Sequence, residues 1–309
     1  MSEAIAEFLD AASSTGTNTR RAYEHVLEVL YDHLSFKAKG SPFLDHFTRG
    51  NVEELVELLF AQGKRPATVA HRLDIWKACA RFCHERYPGY LNHVRKITRP
   101  MIVNQGRKNF SPECVEKLRQ VVRLNACRFL ATRNALILEL ALRAGLREFE
   151  ICGLTMNNFT DPGLITNVRR KGRKFFTIPT HRRIQETLDE YLQERDALLK
   201  IKLGRRQVTQ EQLLKMPLLF AYSLAHCGPD EIKKLDPKTI YRVFISAGEA
   251  AGLKRCTPHM AKHSFTNDIL KVADIATASR ASGHSNISTT MQYLGRDLAD
   301  LEKVLTAID

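Results

Sequence analysis

The sequence lacks a run of apolar residues long enough to cross a bilayer. Its most apolar stretch, residues 135–146, is interrupted by Glu139 and Arg143, whereas a spanning helix needs about 20 apolar residues. The first ten residues contain acids and no apolar run, which argues against a secretory signal. We therefore expect a soluble protein that has no membrane partner.

Cysteine pairs are also lacking. The 309 residues include seven cysteines, an odd number, with no CxxC motif. This argues against a disulfide framework and predicts a reducing, cytoplasmic location. Cys79, Cys83 and His84 have the spacing of half a metal site, but no second half follows. Two core cysteines on one helix are the favoured interpretation, and no metal is expected.

Acidic residues are too few to balance the basic ones. There are 34 of them against 47 lysines and arginines, which gives a net charge of +13. Such an excess favours a polyanionic partner such as nucleic acid, with a merely soluble basic protein as the alternative. The hydrophobic fraction of 44% is typical of a globular protein, and a chain of this length predicts about two domains.

The first third of the chain has the periodicity of helices. Residues 23–34 and 52–59 each carry an apolar stripe at helical spacing, and Pro66 is suited to the first turn of a third helix. We predict a helical domain over residues 1–97 and a linker over residues 98–109, which are basic and aperiodic. The linker is either a solvated tether or a segment that follows DNA phosphates.

The sequence pattern of residues 110–309 predicts a second, mostly helical domain with one hairpin. Residues 163–179 have strand composition on both sides of Lys171-Gly172. The predicted fold class is therefore mainly α with a small antiparallel sheet. Five cations crowd the hairpin tip, which favours contact with DNA phosphates over a solvated basic run; besides Lys171 they are Arg169, Arg170, Arg173 and Lys174.

Near the C-terminus, the order of polar groups suits chemistry on a phosphodiester. His259 and Lys262 are three residues apart and share a helix face, just after a Thr-Pro pair typical of a helix start. His284 follows a glycine, and Tyr293 comes nine residues later. Histidines and cations can bind non-bridging oxygens, and a tyrosine hydroxyl can attack phosphorus when cations or a base activate it.

Together with residues 145–150 (GLREFE), these motifs resemble the signature of the tyrosine recombinase (phage integrase) family. The resemblance implies that Tyr293 becomes joined to a 3′ phosphate, that Lys171 protonates the leaving 5′ oxygen, with Lys174 as the fallback, and that Glu150 supports the first catalytic arginine. The implied phosphate ligands are Arg147, His259, Lys262 and His284.

The resemblance also implies an architecture and partners. Residues 1–97 correspond to the helical, SAM-like core-binding domain and residues 110–309 to the catalytic domain. The implied partners are duplex DNA with specific recombination sites and a homotetramer on synapsed DNA. No metal or cofactor is implied, and a need for accessory DNA-bending proteins stays open.

Two positions depart from the family pattern. Position 262 is lysine where the family has its second arginine, and lysine lacks the planar fork that grips two oxygens. Position 282 is serine where leucine is usual, which affects packing more than chemistry. Lys262 therefore leaves open a catalytically weakened DNA-binding member. A second alternative is a type IB topoisomerase or telomere resolvase, which uses the same chemistry.

Overall fold

The computed structural model describes residues 1–13, 17–102, 109–161, 163–170, 174–283 and 286–291. The chain forms two compact units, Met1–Asn104 and Gln105–Asp309, and the division falls inside the stretch predicted to be a linker. The mainly helical fold class is confirmed. None of the helices in the described residues is long and apolar enough to cross a membrane.

The first unit is helical, and its core lies between its helices. Pro66 begins a helix, as predicted, although this helix is the fourth and not the third. Trp76 on that helix is completely buried, and its indole N–H donates to the Val26 carbonyl at 3.1 Å. The helices are α1 (Ser2–Ser13), α2 (Thr17–Ala38), α3 (Arg49–Ala61) and α4 (Pro66–Arg86).

The second unit is built around a buried central helix. This helix, α6, packs against α8 and α11, and its apolar residues form the middle of the core. The helices are α5 (Pro112–Val121), α6 (Arg128–Arg143), α7 (Glu148–Cys152), α8 (Arg182–Leu203), α9 (Gln210–Lys215), α10 (Pro237–Ala250), α11 (Pro258–Leu270), α12 (Ile275–Ser282) and α13 (Ser288–Met291).

The predicted hairpin is present in the second unit. Strands β1 (Leu164–Arg169) and β2 (Phe175–Pro179) pair antiparallel, with Arg169 opposite Phe175. One further hydrogen bond, from the Arg170 N–H to the Lys174 carbonyl at 2.7 Å, extends the pairing toward the tip. The small antiparallel sheet is thus confirmed.

Candidate active site

The turn that follows α6 fixes the backbone on which Arg147 is presented. Gly145 has a φ of +59°, a left-handed conformation that glycine adopts without strain. The Phe265 ring lies against this glycine, so a Cβ here would collide with it. Leu146 is completely buried, and its N–H donates to the Leu140 carbonyl at 3.3 Å. Arg147 therefore emerges from backbone that the core holds in place.

Glu150 holds Arg147 in two ways. Its Oε2 accepts the Arg147 backbone N–H at 2.8 Å, which caps the first turn of α7. Its Oε1 accepts from the Arg147 guanidinium at 3.1 Å. The Glu150 side chain is fully buried, whereas 28% of the Arg147 side chain is exposed. One buried carboxylate thus orients a cation that can still reach a ligand.

Lys262 projects from the first turns of α11 into the same region. Its Nζ donates to the Gly145 carbonyl at 2.6 Å, and the residue is only 2% exposed. Burial, together with the nearby charges of Arg147 and Arg170 and against the opposing charge of Glu150, lowers the pKa of Lys262 to about 7. With a pKa this low, the Lys262 amine needs a nearby anion to be fully protonated at neutral pH.

Arg170 is the third cation of this region, and it points inward. Its Nη2 donates to the Ala281 carbonyl at 3.2 Å, and its Nε lies 4.0 Å from Glu150 Oε1. The guanidinium lies over the Phe176 ring. Burial lowers the pKa of Arg170 to about 10, opposed by Glu150, so the side chain stays charged at neutral pH. We call Arg147, Arg170 and Lys262 the basic cluster.

His259 lies one turn before Lys262 and is exposed. The capping residue Thr257 accepts the Met260 N–H at 3.4 Å, so α11 begins as the Thr-Pro pair predicted. The His259 ring meets the buried His263 ring edge to face, with centroids 4.6 Å apart. Because spare N–H groups at a helix start favour anions, this end of α11 suits a phosphate.

The structure brings together only part of the predicted site. Arg147, Glu150 and Lys262 are neighbours, as described above. Arg169 and Lys174 are exposed near the hairpin tip, where they are free to face DNA, unlike the largely buried Arg170. The other predicted site residues lie outside the described residues; they are Lys171, Arg173, His284 and Tyr293.

Two contacts of this region were not predicted from the sequence. The first is the inward contact of the Arg170 side chain. The alternation of side chains along β1 carried a signal for it, because Arg170 lies on the same face as buried Val168 and on the opposite face from Arg169. The second is the pair of Thr266 and Ser282, both completely buried, whose hydroxyl oxygens are 2.8 Å apart. Serine at 282 is therefore satisfied by a partner on α11.

The arrangement concentrates positive charge. Three cations converge on one buried carboxylate, so positive charge is in excess unless an anion binds. Cations that are already held in place are what a pentacoordinate phosphorus transition state requires. Among the described residues, no group of three or more His, Cys, Asp or Glu side chains is placed to hold a metal ion.

Solved structures resemble this chain over almost its whole length. The XerH site-specific recombinase in a post-cleavage complex with its palindromic difH substrate has a TM-score of 0.72 at 19% identity, covering 96% of this chain and 82% of that chain. A lambda integrase dimer bound to a COC′ core site has a TM-score of 0.68 at 18% identity, with 96% and 78% covered. The fold is thus the one that these two proteins share.

A model of the phage integrase family matches residues 109–298. These residues make up more than half of the chain, so the chain belongs to the phage integrase family. It is a tyrosine recombinase, a site-specific enzyme of DNA strand exchange.

Relatives of the Xer type support this assignment. The tyrosine recombinase XerC of Thermodesulfovibrio yellowstonii is 26% identical over 291 residues, covering 93% of this chain and 89% of the relative. The tyrosine recombinase XerA of Thermococcus onnurineus is 28% identical over 220 residues, covering 71% and 68%. The likeness to XerC thus includes the N-terminal unit.

Proposed function

We propose that this recombinase uses Tyr293 as its nucleophile and two members of the basic cluster, Arg147 and Lys262, as part of its phosphate site. The observation that carries this assignment is the convergence of Arg147 and Lys262 beside the buried carboxylate of Glu150. Arg147, His259, Lys262 and His284 bind the non-bridging oxygens.

The proposed cleavage step exchanges one bond to phosphorus for another, and side chains of the protein carry the protons. The Tyr293 oxygen forms a bond to phosphorus as the bond from phosphorus to the 5′ oxygen breaks. Lys171 gives its proton to that oxygen, which leaves as a hydroxyl, and His259 assists in removing the tyrosine proton. The phosphotyrosine ester conserves the energy of the broken bond, so rejoining to a new 5′ hydroxyl needs neither ATP nor a metal.

We propose that the substrate is duplex DNA with specific recombination sites and that four protomers form the active assembly. The exposed hairpin cations Arg169 and Lys174 support contact with phosphates, and the overall charge of +13 agrees with a polyanionic partner. Among the structural neighbours, a lambda integrase tetramer bound to a Holliday junction has a TM-score of 0.67. We further propose that the enzyme acts in the cytoplasm. Accessory DNA-bending proteins are a further candidate partner.

A plasmid assay tests this function and separates its alternatives. The DNA that flanks the gene is cloned once or twice into a supercoiled plasmid. We expect recombinant products only with two copies. Relaxation that is equally fast with no copy would indicate a topoisomerase. A protein that binds the flanking DNA but forms no covalent adduct on a nicked half-site would be an inactive DNA-binding member.

Binding to a short duplex should weaken steeply with salt. Each neutralised phosphate releases about one counterion. A protein that contacts six or more phosphates therefore loses about a thousandfold in affinity between 50 and 200 mM salt. Fluorescence anisotropy of a labelled duplex measures this slope. The Arg169→Ala variant should bind more weakly with a shallower slope, and a slope near zero for the unmodified protein would contradict binding through phosphates.

The cleavage rate should depend on the charge of Lys262. Its pKa is lowered to about 7, so its ammonium is present below that pH and is lost as the pH rises. Under sub-saturating DNA, where the rate reports the free protein, cleavage should fall as pH rises through about 7. With DNA bound, the phosphate raises this pKa and the fall should move to higher pH.

The control for this profile is Lys262→Met, which has no ammonium to lose. The Lys262→Met variant should cleave more slowly than the unmodified protein, and its cleavage rate should not fall as the pH rises through about 7. Ionisation of tyrosine would act in the opposite direction, because it would raise the rate with pH. A rate of the unmodified protein that does not fall across this range would remove Lys262 from the phosphate site.

A further inference from the structure

We propose that Arg170 is a positioning residue that joins the hairpin, α7 and the end of α12 into one catalytic unit. This inference rests on the proposed function for the reaction that it serves. The observation behind it is that the Arg170 side chain contacts all three elements at once, whereas its neighbour Arg169 is exposed.

The first contact is with the segment that leads to His284. The Arg170 Nη2 donates to the Ala281 carbonyl at 3.2 Å, in the last turn of α12. Gly283 follows with a φ of +62°, and its α-carbon lies so close to the guanidinium that a Cβ would collide with it. A glycine at position 283 thus allows both the left-handed backbone conformation and the close approach of the Arg170 side chain. This glycine immediately precedes His284 in the sequence.

The second contact is with the carboxylate that holds Arg147. The Arg170 Nε lies 4.0 Å from Oε1 of Glu150, the same oxygen that accepts from the Arg147 guanidinium. Glu150 is fully buried, so its charge is poorly screened by solvent. Arg170 therefore attracts, without a hydrogen bond from its Nε, the anion that orients Arg147.

The third contact anchors Arg170 to its own hairpin. The guanidinium plane covers the Phe176 ring of β2, and the backbone N–H of Arg170 donates to the Lys174 carbonyl at 2.7 Å. The next residue along the chain is Lys171. Arg170 is thus adjacent in sequence to the candidate general acid, Lys171. The carbonyl to which its side chain donates, that of Ala281, lies three residues before a further candidate, His284.

An arginine suits this position for a chemical reason. A guanidinium is planar and presents several donors in fixed directions, so it can stack on a ring and donate sideways to a carbonyl. A lysine would retain the charge but not this geometry. Charge and geometry can therefore be separated by substitution.

The test compares Arg170→Lys and Arg170→Gln with Arg128→Ala. Arg128 is the matched control, because it begins α6 at the end opposite to the active site and its side chain is 78% exposed beside Glu194. Single-turnover cleavage of a nicked half-site is measured at saturating protein. Because a misplacement of about 1 Å can lower a rate about a hundredfold, we expect losses of about tenfold to a hundredfold for both Arg170 variants and none for Arg128→Ala.

The pH profile distinguishes positioning from a loss of general stability. The charged groups that face Lys262 are Arg147, Glu148, Glu150 and Arg170, besides the histidines of its own helix. Arg170→Gln removes a cation that lowers the pKa of Lys262, so the fall in sub-saturating rate should move to higher pH. Arg170→Lys keeps the cation, and its profile should stay in place although its rate is low.

Hydrogen exchange of the DNA-free protein supplies a readout that needs no catalysis. Amides in residues 164–170 and 275–283 should exchange faster in Arg170→Gln than in Arg128→Ala. If the Arg170 variants do not fold, Phe176→Leu loosens the same contact and should slow cleavage by about threefold to tenfold. The proposal would be overturned if the Arg170 variants matched the control in cleavage rate, pH profile and hydrogen exchange. An unmodified protein that forms no adduct would instead refute the proposed function.

Discussion

Tyr293→Phe should bind its DNA site within about twofold of the unmodified affinity and form no covalent adduct. The substitution removes one hydroxyl, which is the proposed nucleophile, and phenylalanine offers no atom that can attack phosphorus. A nicked half-site is the appropriate substrate, because the short 5′ strand diffuses away after cleavage and the adduct accumulates. The adduct is measured as a slow band on a denaturing gel.

The control for this experiment is another tyrosine-to-phenylalanine change. Tyr241 on α10 is 46% exposed, and Tyr241→Phe should form the adduct at the rate of the unmodified protein. An adduct of undiminished yield in Tyr293→Phe would mean that another residue is the nucleophile. Loss of DNA binding in the same variant would show that the hydroxyl serves the fold instead.

Lys262→Ala should lower single-turnover cleavage by about a hundredfold or more, the usual cost of losing one donor to the transition state. Two effects compete in Lys262→Arg, a gain from the planar fork of arginine and a loss from overpacking. The structure favours the loss, since Lys262 is 2% exposed and its Nζ already lies 2.6 Å from the Gly145 carbonyl. We therefore expect Lys262→Arg to cleave more slowly than the unmodified protein.

Two further variants assign the cause of that effect. Lys262→Met fills most of the volume without the charge, so a rate as low as that of alanine would identify the charge as essential. Lys271 ends α11 with its side chain 69% exposed, and Lys271→Ala should leave cleavage unchanged. Equal rates for the unmodified protein and Lys262→Ala would exclude Lys262 from the active site.

Much of the fold could be predicted from the sequence because its signals are local. Pro66 and the Thr-Pro pair before His259 were expected at helix starts, and the structure has α4 beginning at Pro66 and Thr257 capping α11. The hairpin followed from strand composition on both sides of a glycine. Helix α1 was not indicated by the apolar stripes, which began at Tyr23.

The electrostatics of the site could not be predicted in the same way. Lys262 and Gly145 are 117 positions apart in the sequence, and no periodicity indicates that an ammonium meets that carbonyl. The depressed pKa of Lys262 depends on burial by several elements at once. Arg170 was assigned to DNA because its neighbours are basic, whereas its partners, Glu150 and Ala281, come from distant segments.

The double role of Glu150 has a consequence for anyone who selects variants of this enzyme. Its two oxygens start a helix and orient a cation at the same time, so a substitution that removes both oxygens, such as Glu150→Ala, abolishes the two roles together. A screen that first retains well-expressed clones would discard changes at Glu150 before their activity was measured. Tolerance maps built from expression alone would therefore classify Glu150 as a folding residue and conceal its contribution to chemistry.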